Sequence, residues 1–117
     1  MAKITVIHKR NERHYPADRV VYVGRPSPLG NPFPMSNKAD VHERARVIEQ
    51  FHGWLKGQLE AQTPAVVAEL QRIVQLAKTG PVYLMCWCAP EPCHAEIIAM
   101  YAALQLPHEP FTWPEED

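Results

Sequence analysis

Eleven consecutive residues, Cys86-Trp87-Cys88-Ala89-Pro90-Glu91-Pro92-Cys93-His94-Ala95-Glu96, hold the densest chemistry in this 117-residue chain. Three readings of them stand side by side. The first is zinc. Cys86, Cys88, Cys93 and His94 supply the ligand count of a closed tetrahedral site, and Cys86 and Cys88 point to one face of a strand. The C-x-C-x4-C-H spacing suits zinc poorly, because structural sites use ligand pairs two to four residues apart. The second is a reactive thiolate or an anion site. A helix start at Cys93 presents unpaired N–H groups and the positive end of the helix dipole, which favour negative charge and the thiolate form. Cys93 is then a nucleophile and His94 its acid or base, or the same helix start takes a phosphate, with His94 and Arg25 as charged partners. The third is structural. Cys86 and Cys88 pack as small hydrophobes in a core strand, and Cys93 is a helix N-cap paired with Glu96 in a weak capping box.

A second segment, Arg25-Pro26-Ser27-Pro28-Leu29-Gly30-Asn31-Pro32-Phe33, combines stiffness with polar groups. The guanidinium of Arg25 is a planar fork of donors suited to phosphate or carboxylate. Gly30 allows a ligand to approach the backbone. Asn31 offers a donor and an acceptor for a base or sugar edge, and Ser27 a further hydroxyl. Prolines preorganise these groups at low entropic cost. The competing reading is a proline-rich turn with a surface arginine.

The elements that position the two segments follow from hydrophobic patterning. Residues 3–8 and 20–24 are rich in β-branched side chains and read as strands, the second of them buried. Between them, 9–18 is polar and basic, a loop or hairpin connection. From Asp40 onward Val41, Ala45, Ile48, Phe51, Leu55 and Leu59 recur at helical spacing, with Asn37 or Asp40 as N-cap. Thr63-Pro64 starts a second helix, with Val67, Leu70, Val74 and Ala77 on its face and Gly80 as its C-cap. The apolar run 82–88 reads as a central buried strand. Residues 93–104 form a third helix, with Ile97, Ile98, Tyr101 and Leu104 inward and Leu106-Pro107 as its stop. The tail 108–117 is an edge strand or coil.

The order β, β, α, α, β, α predicts one α/β domain over 1–117. Its sheet is Rossmann-like, mixed or partly parallel, and flanked by about three helices. Both chemically loaded segments follow the carboxyl end of a predicted strand. In parallel sheets ligands sit beyond those ends, so neighbouring strands would bring the segments together. Among other side chains, His8 ends a strand beside Lys9 and Arg10, and His42 and His52 fall at a helix–solvent boundary. Trp54, Trp87 and Trp113 read as core or rim rather than as base-stacking platforms.

Composition narrows the class. Apolar residues make up 46% and charged residues 21% of the chain, a globular balance. No apolar run reaches the roughly 18 residues of a membrane span, and residues 1–16 lack the apolar stretch of a secretory signal. Three cysteines within eight residues fit a reducing, cytoplasmic setting better than a disulfide framework. The net charge is −1, so no general pull toward nucleic acid or lipid follows. Residues 1–37 are nonetheless net +4 and the last nine net −4. Five of the twelve prolines (Pro26, Pro28, Pro32, Pro90 and Pro92) fall in the two loaded segments, and Pro34 directly follows the first.

V-Y-V-G-R-x-S-x-L-G-N-P-F over 21–33 and L-x-C-W-C-x-P-x-P-C-H-A-E-I-I over 84–98 resemble the domain-of-unknown-function 4326 family, short proteins of bacteria and their phages. The likeness extends to the F-x-x-W-L element of Phe51, Trp54 and Leu55. It implies that Arg25, Gly30, Asn31, Pro32, Cys88, Cys93 and His94 belong to the family's signature, and it implies no reaction. A looser similarity, C-A-x-x-P-x-x-C-H, connects to the domain-of-unknown-function 488 family, in which arginine follows the Cys-His pair where this chain has Ala95.

The expectation is therefore a domain that binds a phosphate-bearing, nucleotide-like molecule. Its ligand-binding residues would be Arg25, Ser27, Gly30, Asn31 and Glu96, with Cys93 and His94 catalytic if it is an enzyme, and no resident cofactor. The alternative is a non-catalytic interaction or inhibitor protein with a structural cluster of Cys86, Cys88, Cys93 and His94, zinc-bound or not. No membrane partner is expected, and the near-neutral charge argues against nucleic acid.

Overall fold

β3 (Val82–Cys86) is the middle strand of a three-stranded sheet, with β1 (Ile4–His8) and β2 (Val20–Tyr22) on either side in the order β1-β3-β2. The structure is a computed structural model and describes residues 4–37, 40–87 and 93–105. Both pairings are parallel, so the sheet is wholly parallel where a mixed one was also open. A parallel strand in the middle must be covered on both faces, and the apolar run of β3 meets that demand. Val82, Leu84 and Cys86 alternate onto one face and are at most 1% exposed. They join Val21 and Val23 from the β2 side and Ile4 and Val6 from β1.

Helices α1 (Val41–Glu60), α2 (Pro64–Ala77) and α3 (His94–Leu104) contribute to the same core. Phe51, Leu55, Ile73 and Ile98 are its fully buried anchors, each contributing about 1.5–3 kcal/mol by removal from water. The buried face of α1 is Val47, Phe51 and Leu55. Val41 and Ala45, expected inside, are exposed, because the first turns of α1 run past the sheet. In α3 the small residues Ala95 and Ala102 lie inside with Ile98, while Leu104 at the last turn is 38% exposed.

The polar run after β1 is not a hairpin. A hairpin joins antiparallel neighbours, whereas β1 and β2 run parallel with β3 between them. The chain crosses β3 in two short 3-10 turns, Lys9–His14 and Ala17–Arg19, and the Tyr15 ring rests on Tyr83 at 4.5 Å. Tyr83 alternates with Leu84, so this crossing covers the face opposite the helices.

Helix ends also differ from expectation in instructive ways. Asp40 is the N-cap of α1, its carboxylate accepting from His42 N and Glu43 N at 2.9 and 3.1 Å. Pro64 opens α2 as predicted, but the Thr63 side chain makes no cap bond. Thr63 instead donates its backbone N–H to Gln58 O, closing α1 in a Schellman turn with Gln62 at φ 55°. At the end of α2 the C-cap is Lys78 rather than Gly80, and no glycine among the described residues has positive φ. The exposed carbonyls are met by Arg19, which donates to Leu76 O at 2.7 Å, Pro81 O at 3.4 Å and Thr79 Oγ1 at 2.5 Å.

Cys88, Trp113, Pro90 and Pro92, the Leu106-Pro107 stop and the tail 108–117 lie outside the described residues.

Candidate functional site

β2 and β3 are parallel neighbours, so their carboxyl ends open on one edge. Val23 prolongs the pairing by donating to Met85 O at 3.0 Å. The loop that follows folds on itself. Ser27 N donates to Gly24 O and Gly30 N to Ser27 O, both at 2.8 Å. The Ser27 hydroxyl accepts from Leu29 N, and Leu29 drops into the core. A Cβ at Gly30 would lie 2.9 Å from Arg25 Cα and 3.0 Å from Ser27 O, so this glycine serves the closure of the loop. Ser27 and Gly30 do not line the cleft described below.

Arg25 and Asn31 do line it. The Arg25 guanidinium is exposed and has no hydrogen bond or ion pair among the described residues. Asn31 folds an Asx turn, its Oδ1 accepting from Phe33 N at 2.9 Å, which leaves its amide donors uncommitted there.

On the β3 side, α3 begins where expected, with Cys93 as N-cap. Its Sγ accepts from Ala95 N at 3.3 Å and lies 3.1 Å from the Sγ of buried Cys86. His94 is buried, with Nε2 2.7 Å from Val23 O. A carbonyl only accepts, so Nε2 carries the proton. The Phe51 ring stands nearly perpendicular to the imidazole at 4.9 Å. His94 thus joins α3 to the end of β2 and to α1. Its remaining acid/base atom is Nδ1. Glu96 is exposed in the first turn of α3 and does not line the cleft.

These elements enclose a cleft of about 260 Å³. Its described lining holds two arginines, Arg25 and Arg44, together with Asn31, Cys86, Cys93 and His94, and no carboxylate. Val47 and Ile48 of α1 form the apolar wall, with Phe33 and Met35 at the outer side. That outer side is clasped to α1 by Glu43. Its carboxylate accepts from Ser36 N at 2.7 Å, Ser36 Oγ at 2.9 Å and Asn37 N at 2.9 Å. These bonds to the ionised form hold Glu43 below the ordinary carboxylate range, and the backbone N–H groups of Glu43 and His42 do the same for Asp40.

Zinc finds a partial ligand set. Among the described residues no group of three or more His, Cys, Asp or Glu side chains is arranged around one point. Cys88 lies outside those residues, and His94 Nε2 is occupied by Val23 O.

Sequence reasoning missed Tyr22, Arg44 and Glu43, and it read Trp87 as core or rim rather than as a base-stacking platform. Trp87 follows β3 at the rim of the cleft and is 58% exposed. Its Nε1 donates to the Tyr22 hydroxyl at 3.2 Å, and that hydroxyl donates to Arg25 O at 2.8 Å. Gly24 makes this possible, since a Cβ there would run into the Tyr22 ring. Alternation puts Trp87 on the face of Tyr83 and Met85, and since Met85 on that face is buried, the exposure of Trp87 comes from β3 ending at Cys86.

Fold and site together define a small α/β protein with a cationic, thiol-bearing cleft at the carboxyl edge of a parallel sheet. Over residues 6–104 the chain matches the family described as domain of unknown function (DUF4326), and it belongs to that family. No curated protein and no solved structure matches it. The two sequence motifs form two walls of the cleft, and the F-x-x-W-L element supplies the ring against His94.

Proposed function

We propose that this protein binds a small phosphate-bearing, nucleotide-like molecule in the cleft between the 24–35 loop and the start of α3. The observation that carries this reading is Arg25, an exposed arginine in the cleft wall, in a lining that holds no carboxylate among the described residues. Arg25 is the residue that takes the anion, since its fork is uncommitted. The Asn31 amide orients the polar part of the ligand. The dipole of α3 adds a favourable field for negative charge. Clustered thiols support a reducing, cytoplasmic setting.

A thermal-shift screen with sugar phosphates and nucleoside monophosphates tests this reading. At a hundred times Kd a ligand adds about 2.7 kcal/mol to stability, a clear rise in midpoint. The rise is expected to shrink in Arg25→Ala. No response to any member of the panel, with one zinc per purified chain, would replace it by the structural-cluster reading.

Chemistry on the bound molecule is a second reading, favoured by the placement of Cys93. Its Sγ lies in the cleft wall, within reach of the Ala95 N–H and the Cys86 thiol. The Ala95 N–H aimed at Sγ favours a thiolate, the form that attacks an electrophilic ligand atom, and the burial of Cys93 opposes it, while either sulfur of the Cys86–Cys93 pair can be the donor. His94 is then chiefly a positioning residue, because its Nε2 is held by Val23 O. Cys93→Ser should keep binding and lose turnover.

A further inference from the structure

We propose that the exposed indole of Trp87 is the stacking platform for the planar base of the ligand, which makes the cleft select nucleotides over base-free sugar phosphates. This rests on the phosphate reading above and goes beyond it by naming the part of the ligand that sets selectivity.

Single exposed apolar residues are ordinary on protein surfaces. Trp87 differs in being held by three neighbours and in lining the cleft beside Arg25 and Asn31. Its Nε1 is held by the Tyr22 hydroxyl at 3.2 Å. The His8 ring meets it perpendicularly at 5.9 Å. Lys9 Nζ stands over one face of the ring, 5.7 Å from its centre, on a side chain tied to Glu12 at 3.2 Å, so the base is assigned to the other face. An indole restrained in this way while 58% exposed is preorganised to stack and loses little freedom on doing so.

The lining points the same way: Trp87 shares the cleft with Arg25 and Asn31, so a ligand whose anion is held by Arg25 can lay its base on the indole. Trp87 is the large aromatic side chain of the rim that remains mostly in solvent. Stacking on an aromatic face tolerates every base, and the indole N–H is already occupied, so discrimination among bases should be weak and discrimination against a missing base strong.

The experiment is calorimetric titration of the whole chain with the four nucleoside monophosphates and with ribose 5-phosphate. Base–aromatic stacking is worth about 1–3 kcal/mol, so each nucleotide should bind roughly 5- to 150-fold more tightly than ribose 5-phosphate. Trp87→Ala should erase that ratio and leave ribose 5-phosphate affinity unchanged, and Trp87→Phe should restore most of it. Arg25→Ala should weaken all five ligands alike. Equal affinity of nucleotides and ribose 5-phosphate in the unaltered protein would overturn the platform and leave the phosphate reading standing. Equal loss of all ligands in Trp87→Ala would make Trp87 a structural residue and overturn it too. Binding of none of the five would overturn both readings.

Discussion

The two ends of the parallel sheet use arginine in opposite ways. At the amino end, Arg19 is consumed by the fold. It donates to Leu76 O, Pro81 O and Thr79 Oγ1, closing the exit of α2 and the entry to β3. At the carboxyl end, Arg25 has no protein partner among the described residues, and an indole 58% exposed stands near it. Five residues lie between the two arginines, and both belong to the positively charged first third of the sequence. Charge clustering alone therefore does not locate a binding surface. What locates it is which cation stands in the cleft wall: Arg10 and Arg13 of the same third are also exposed but do not line the cleft, and Arg25 does.

The largest expected effect concerns the residue that shapes the open end. His94→Ala removes a buried hydrogen bond to Val23 O and the ring packed on Phe51. A loss of about 2–4 kcal/mol is expected in urea unfolding. A loss below about 0.5 kcal/mol, the range of an ordinary surface change, would show that the junction of α1, β2 and α3 does not depend on this side chain.

The arginine pair gives the next largest effect. Arg19→Ala should cost about 1–3 kcal/mol of stability with ligand affinity unchanged. Arg25→Ala should stay within about 0.5 kcal/mol in stability and lose affinity for phosphate ligands. Reversal of the two patterns in parallel unfolding and binding measurements would invert the comparison.

Acid should act unevenly on the two ends, with the smallest effect of the three. Glu43 and Asp40 have carboxyl pKa values lowered in the folded state by the N–H and hydroxyl donors around them. A depressed carboxyl contributes stability above its unfolded value, and that contribution is lost as pH falls through the folded value. The clasp of residues 36–37 onto α1 should therefore hold at neutral pH and release only as pH falls below the ordinary carboxylate range. Amide exchange read by NMR should show lower protection factors, relative to the intrinsic rate at each pH, at Ser36 and Asn37 in acid, and at neutral pH in Glu43→Gln. The Arg19 contacts contain no carboxylate and should stay closed over the same range.

Much of this fold is legible in the sequence because its signals are local. Continuous β-branched runs mark the strands, i/i+3/i+4 spacing marks α1 and α2, and Asp40 and Pro64 mark helix starts. The meeting of 25–33 with 93–96 follows from placing two strands parallel and adjacent. The remainder is set by contacts distant in sequence. Residues 9–19 carry no hydrophobic period, so nothing local announces that Tyr15 will lie on Tyr83 and carry the chain across β3. The types of Ser27 and Gly30 suit a ligand loop and a self-closing turn equally, and only the contact between Gly30 and Arg25 separates the two. Trp87 is apolar within an apolar run, and its exposure depends on β3 ending at Cys86.

The most direct test of the contrast between the two ends is a titration of the 15N-labelled protein with adenosine monophosphate, followed by amide shifts. Shifts concentrated at 24–35, 86–87 and 93–96, with residues 19 and 76–81 still, are the result this account predicts. Saturable shifts centred on Arg19 and the exit of α2, or no saturable shifts at all, would contradict it.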